Sequence, residues 1–276
     1  MSAQPVPVVP LAGNGVVSML GKRARDWAPA LVVLVGFFLV WEAIVKLAHV
    51  QRFLLPAPTA IWSAFSSNQG LLWHEGWVTF QEALGGFAIG CAAGIVFAVV
   101  VARWKLLGSA LLPYAIAANA IPIIAFAPLL NNWFGLLNPL SKALMAAVLV
   151  FFPVMANVTR GLVQVDPGAI ELMRSYAASE WTILRKVRVP NALPYFFTAL
   201  KVVTTFSLIG AIVAEYFGGS NSSLGRRIVE SASAFKFEIT WGAILFGAMT
   251  GIVFYLVVVA IERAVIPWAA ALRGDG

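Results

Sequence analysis

Charge is scarce in this chain of 276 residues: 11% are Asp, Glu, Lys or Arg, against 61% hydrophobic. A water-soluble domain carries about 25% charged residues, so the chain lacks the means to cover a water-facing surface, and its mean hydropathy is +0.87. Cysteine is nearly absent: Cys91 stands alone in an apolar run, which excludes an internal disulfide. The two histidines, His49 and His74, fall at the edges of apolar stretches without metal-ligand spacing, so no metal site is expected. They also fail to supply the His/Asp/Glu cluster that an enzyme embedded in a membrane would need. No G-x-x-x-x-G-K-[ST] loop occurs, so no ATP-hydrolysing site of that kind is expected. The first twenty residues, rich in Pro and Gly, lack a basic segment ahead of a compact apolar run and do not read as a cleaved signal peptide.

What is present is a series of apolar stretches about 20 residues long, the length that crosses a hydrocarbon core of about 30 Å. They predict an all-α integral membrane protein of about six transmembrane helices, because backbone polar groups in lipid must be satisfied within the segment. The expected spans are Trp27–His49, Phe80–Val101, Leu106–Leu130, Leu140–Val158, Leu193–Phe217 and Trp241–Ile261. Pro113, Pro122 and Pro128 predict kinks or a break in the third. A membrane domain over residues 27–267 is thus flanked by tails at 1–26 and 268–276. The net charge of +7 sits in short loops, which points to membrane orientation rather than to nucleic acid. With the N-terminus in the cytoplasm, twelve of the nineteen Lys and Arg lie inside and six outside, leaving Lys201 within a span. Both termini are then expected in the cytoplasm. Gly86, Gly90 and Gly94 share one face of the second span, and Gly247 and Gly251 repeat the device in the last; such faces allow close helix packing, within a copy or between copies. LPAPTAIWSAFSS after the first span, and RRIVESASAF after the fifth, predict short non-spanning helices.

The longest loop assigned to the cytoplasm covers residues 160–190. Asp166 followed by Pro167 predicts a helix start, and Ser179 followed by Glu180 a second one, giving a helix-turn-helix. Ile170, Met173 and Ala177 would share one face of the first helix, and Trp181, Leu184, Val187 and Arg188 one face of the second. Apolar residues placed in water need a partner groove.

This loop resembles the cytoplasmic motif of ABC importer permeases: Glu-Ala-Ala, three residues, Gly, nine residues, then Ile-x-Leu-Pro. Here Glu171, Ala177, Val187, Val189 and Pro190 keep the spacing, while Leu172 and Met173 replace the alanines and Ala177 the glycine. A positive φ at that position would be strained in alanine. LPAPTAIW, GLLW, AIPIIAFAPLLNNWFG and AEYFGG are similar to the branch serving nitrate, sulfonate and taurine importers and their relatives for riboflavin and thiamine-precursor pyrimidines. The resemblance implies a permease subunit in a bacterial inner membrane. It implies two copies around one pathway, separate cytoplasmic ATP-binding cassette subunits, and an extracytoplasmic solute-binding protein. The segment with Glu171, Arg174, Ala177, Ala178, Val187, Val189 and Pro190 would be the element that engages the ATPase. No catalytic residue and no cofactor is expected.

For the pathway, the polar residues at membrane depth are the candidates: Asn119 beside the broken third span, Thr204, Thr205 and Ser207 in the fifth, and Glu215 near its end. The competing readings are hydroxyls bonded back to their own helix and carboxyls bonded to neighbouring helices, for Glu82 as well as Glu215. Glu42 and Lys46, four apart, are expected to pair. The alternative function is a secondary transporter working without an ATPase, which needs coupling carboxylates or cation sites near the midplane; here the carboxylates cluster near span ends.

Overall fold

The computed structural model describes residues 15–104, 122–219 and 222–268, with side chains from residue 28 onward. Asn119 and most of the expected third span lie outside the described residues, as do most of both expected tails. Within that set the chain is helical. Among the described residues, five helices are long and apolar enough to cross a membrane. The first is α1 (Gly15–Leu47), apolar over Ala28–Leu47. Its Glu42 pairs with Lys46 at 2.8 Å, as the four-residue spacing leads one to expect, and also accepts from Thr59 N–H and Oγ1.

The rest of the described chain forms a second unit from Ile61 onward. Helix α2 (Pro58–Ser67) starts on proline, the residue whose missing N–H costs nothing at a helix start, and buries Ile61 and Phe65. Helix α3 (Gln69–Arg103) begins eleven residues before the expected span. A short helix α4 (Phe126–Phe134) leads to α5 (Pro139–Val163), which Asn138 caps by accepting from Leu140 N–H. Two short helices follow, α6 (Pro167–Ser175) and α7 (Glu180–Ile183), and a π-helical turn over Leu184–Arg188 joins α7 to α8 (Val189–Tyr216). Pro190 has no N–H to offer the carbonyl four residues back, so the turn widens there without breaking the helix. Helix α9 (Leu224–Ser233) precedes the last span, α10 (Phe237–Val265).

The bundle is organised by backbone approach. Lipid tails are as apolar as leucine, so helices in a bilayer associate through close packing of small residues. A Cβ on Gly90 would lie 2.6 Å from the carbonyl oxygen of Ala147, and one on Gly94 would lie 3.0 Å from that of Phe151. The Gly86, Gly90, Gly94 face is therefore filled within the chain, by α5. Gly161 meets Ala192 and Gly210 meets Ala146 in the same way, at 2.6 Å from Cα in each case, which draws α8 onto α5. Gly247 and Gly251 behave differently: a Cβ on Gly247 would make ordinary contacts, and one on Gly251 would meet nothing within 4 Å.

A buried polar cluster closes the α9 end of the unit. Glu75 and Arg227 form a two-pronged ion pair, with Arg227 Nε 3.0 Å from one carboxylate oxygen and 3.1 Å from the other. These bonds hold the Arg227 guanidinium above the usual arginine range. Thr79 Oγ1 donates to Glu215 at 2.7 Å and accepts from Leu224 N–H at 3.0 Å, while Gly225 N–H donates to the other Glu215 oxygen at 2.8 Å. Glu82 lies within hydrogen-bonding reach of Glu215. Lys142 sits in electrostatic reach of both and donates to Ser141 Oγ and to the carbonyl of Leu136. Ser141 in turn donates to Asn131, whose amide donates to Ala214 O. The cluster thus ties α3, α4, α5, α8 and α9 together. At the opposite end Lys201 pairs with Glu262 at 2.9 Å, joining α8 to α10.

Two expectations follow. Gly90→Ala should destabilise the chain by about 1–3 kcal/mol through overpacking, whereas Gly251→Ala should be neutral or stabilising by up to about 1 kcal/mol from helix propensity. Thermal unfolding in detergent, read by a thiol-reactive dye at the single buried Cys91, separates the two; equal effects would refute the packing assignment. Lys142→Met leaves buried carboxyls without their cation and should cost about 3–5 kcal/mol, with part recovered in the Lys142→Met/Glu215→Gln double variant. The same melting experiment checks it, and additive losses in the double variant would count against the cluster.

Candidate functional site

At the Arg103 end of α3, α6 and α7 carry exposed apolar side chains; α6 lies outside the five candidate spans, while α7 starts the fourth, Glu180–Tyr216, whose 37 residues exceed what a bilayer crossing needs. Asp166 caps α6 by accepting from Gly168 N–H at 3.1 Å, and Pro167 occupies the first helical position. Ser179 caps α7, accepting from Thr182 N–H at 3.3 Å. Both starts fall where the sequence places them. The end of α6 comes earlier, at Ser175 rather than near Ala178. Ala177 has φ +52°. Its N–H donates to Arg174 O at 2.9 Å and that of Ala178 to Met173 O at 3.1 Å, which is the Schellman closure of a helix. The motif's glycine position does require the left-handed backbone, and here an alanine adopts it at a cost of about 1–2 kcal/mol.

The face of this segment also differs from expectation. Ile170 and Met173 are half-buried and Ala177 is exposed, so these three do not make one solvent-facing apolar stripe. The large exposed apolar residues are Leu172 (56%), Tyr176 (75%) and Trp181 (70%). Glu171 is exposed, and Arg174 pairs with Glu180 at 3.2 Å, both about 60% exposed and hence of little energetic weight. Ala178 is half-buried.

Behind this surface the segment is anchored. Ile183 is fully buried and Leu184 packs against the main core. Val187 and Pro190 are half-buried, and Val189 is 42% exposed. Arg188 donates to Leu162 O at 3.2 Å, and Asn191 to Gly161 O at 2.7 Å and Gln164 O at 2.9 Å. Those carbonyls belong to the last turn of α5, which has no intrahelical donors for them. Asn191 was not singled out by the sequence; its signal is the position one residue after Pro190, at the first turn of α8.

The candidates at membrane depth separate clearly. Thr204 and Ser207 are fully buried and donate to Lys201 O and Thr204 O of their own helix, at 2.8 and 2.9 Å. Glu215 is buried in the polar cluster, bonded to neighbouring helices as the competing reading has it. Thr205 lies on the exposed side of α8 with Val202, Phe206 and Ile209. The sequence missed Glu75, Thr79 and Lys142. Glu75, Thr79 and Glu82 continue the Gly86, Gly90, Gly94 stripe at helical spacing, a signal hidden by starting the span at Phe80. Among the described residues no three His, Cys, Asp or Glu side chains converge, so none is assigned to a metal.

Residues 90–270 match the family described as the binding-protein-dependent transport system inner membrane component. The chain is 32% identical to a riboflavin transport system permease protein of Chloroflexus aurantiacus, over 92% of this chain and 98% of that protein. It is 27% identical to a formylaminopyrimidine transport permease protein of Halalkalibacterium halodurans, over 90% and 98%. The crystal structure of an amino acid ABC transporter shares the fold at a TM-score of 0.58 and 16% identity, covering 72% of this chain and 96% of that one. A multi-pass helical chain, small-residue packing and a loop with the family's spacing all agree with these matches, and the chain belongs to the inner-membrane permease family of ABC transporters.

Proposed function

We propose that this chain is the transmembrane subunit of an ATP-driven importer, working as a pair of identical copies with two separate ATPase subunits and an extracytoplasmic binding protein that delivers a small solute. The observation that carries the reading is the exposed Leu172, Tyr176 and Trp181 surface on α6, its C-cap and α7, where the long helix that runs to Tyr216 begins. Leaving such area in water costs about 25 cal/mol per Å², and an ATPase groove would cover it. The anchoring behind it supports a mechanical role. Ile183 and the Arg188 and Asn191 hydrogen bonds join the segment to the ends of α5 and α8. A displacement of α6 and α7 by the ATPase would therefore move those two spans rather than dissipate in a loose loop. In this reading the Arg103 end of α3 faces the cytoplasm, as do both termini.

The pathway is assigned to the exposed side of α8, with Thr205 as its polar contact, since Thr204, Ser207 and Glu215 are committed to bonds inside the chain. The solute class follows the relatives: a planar nitrogen heterocycle of the riboflavin or aminopyrimidine type, ahead of a sulfonate, taurine or nitrate. A secondary transporter is the second reading, and it lacks a described carboxylate near the midplane that faces outward.

Three outcomes are expected. Trp181→Ala removes a large aromatic anchor and should weaken ATPase association by about 2 kcal/mol, or roughly 30-fold; co-purification with the ATPase measures it. Ala177→Arg should insert into the membrane normally yet abolish association and uptake. Ala177→Gly, freed of left-handed strain, should melt higher by about 1 kcal/mol while keeping both. Unaltered assembly and uptake in the first two would remove the docking proposal, and uptake by the chain alone in vesicles would favour the secondary transporter.

A further inference from the structure

A cleft of about 570 Å³ runs between α3, α8 and α10, on the side of α8 away from Thr205. Its walls include Trp77, Phe80, Phe87, Phe254, Val257 and Ile261, with no charged side chain among the lining residues. Thr250 is the one hydroxyl in the wall, and it donates to Phe246 O of its own helix at 2.9 Å. At the Trp73 end Phe246 forms one wall, its ring lying where a Cβ on Gly76 would stand and 6.1 Å from that of Trp73. Phe254 floors the middle, with ring centroids 5.4 Å from Phe80 and 5.0 Å from Phe87. The cleft is continuous with an exposed apolar strip of α10, where Val253 is 60% and Val257 49% exposed.

We infer that this cleft holds one acyl chain of a membrane phospholipid, with the headgroup at the Trp73 and Trp77 mouth. Three features select that occupant. The lining runs from Phe246 to Ile261 along α10, which at 1.5 Å per residue is about 22 Å. That suits a chain reaching through one leaflet of about 15 Å and slightly beyond, and it is short for a spanning helix of about 30 Å. Tryptophan marks one mouth only: Trp73 is 69% and Trp77 52% exposed, and Trp62, 59% exposed, stacks on Phe65 beside Phe246. Such rings sit at the headgroup level of a bilayer, so they set the polar end of the lipid. Finally, a wall without charge offers nothing to a phosphate, so recognition resides in the chain and not in the headgroup. The lipid acts as a fourth packing element where α3 and α10 diverge. Its presence does not depend on ATPase, binding protein or solute.

Native mass spectrometry of the full chain tests this after exchange from membranes into detergent and addition of either dioleoylphosphatidylcholine or dioleoylphosphatidylglycerol. One tightly held lipid per chain is expected, with the same stoichiometry for both headgroups. Val257→Trp fills the cleft and should lower that occupancy at least tenfold, while Val96→Trp, on an exposed part of α3 outside the cleft, should leave it unchanged. Leu84→Trp fills the cleft from the α3 wall and serves if Val257→Trp does not insert. No retained lipid in the parent chain overturns the inference. So does retention of phosphatidylglycerol alone, which would place binding on a cationic surface, or full occupancy in a cleft-filling variant that inserts.

Discussion

The architecture depends on how closely α3, α5 and α8 bring their backbones together. In lipid, burying a leucine against another helix gains little over burying it against acyl chains, so the stabilisation must come from contact density and from polar bonds. Glycine supplies the first. At Gly90, Gly161 and Gly210 the nearest opposing atom is backbone, at 2.6 Å in each case, so a methyl group there forces the helices apart. With α5 gripped on both sides, α10 packs on α8 and α3.

That close approach creates a second requirement. Once α3, α5 and α8 are in contact, the polar residues on their facing surfaces are cut off from water, and unpaired polar groups there are expensive. The cluster of Glu75, Thr79, Glu82, Lys142, Glu215 and Arg227 meets the requirement collectively: two cations face three carboxyls, and backbone N–H groups of Leu224 and Gly225 complete the bonding of Thr79 and Glu215. Within the cluster, Glu82 Oε2 has no hydrogen-bond partner among the described residues. This arrangement fixes α9 and α4 to the bundle, so the α9 end behaves as one piece. The far end is built on the opposite plan. There the base of the α6–α7 segment is bonded to the carbonyls ending α5, while Leu172, Tyr176 and Trp181 stay exposed beside the Arg174–Glu180 pair. One end is closed by internal satisfaction, and the other keeps large apolar side chains exposed.

Among the described residues, three helices end on a left-handed residue other than glycine: His49 at φ +50°, Ala177 at +52° and Phe235 at +58°. Each follows with the paired backbone hydrogen bonds that close a Schellman turn. Glycine is the usual sequence marker for this turn, and its absence explains why the reading of the chain runs α1 to His49 and α6 toward Ala178. The strain at Ala177 is sustained because the helix behind it and the Ser179 cap ahead of it both over-determine the backbone.

Length, scarcity of charge and apolar runs were enough to identify a helical membrane protein, since the bilayer's thickness and its lack of hydrogen-bonding partners leave the backbone few options. Capping residues were equally legible, because Asp166, Pro167 and Ser179 act on their immediate neighbours. The Glu171 to Pro190 spacing was enough to point to the family. Facing partners were not legible. Whether the Gly86, Gly90, Gly94 stripe met this chain or another, whether Thr204 or Thr205 faced outward, and that Glu75 would find Arg227 all depend on residues distant in sequence. Helical periodicity alone cannot choose among them, because each apolar face is wetted equally well by lipid or by protein. Tertiary structure decided these points through packing volume and through the need to pair every buried charge. It also moved the exposed apolar surface of the loop to Leu172, Tyr176 and Trp181, leaving Ile170 and Met173 half-buried.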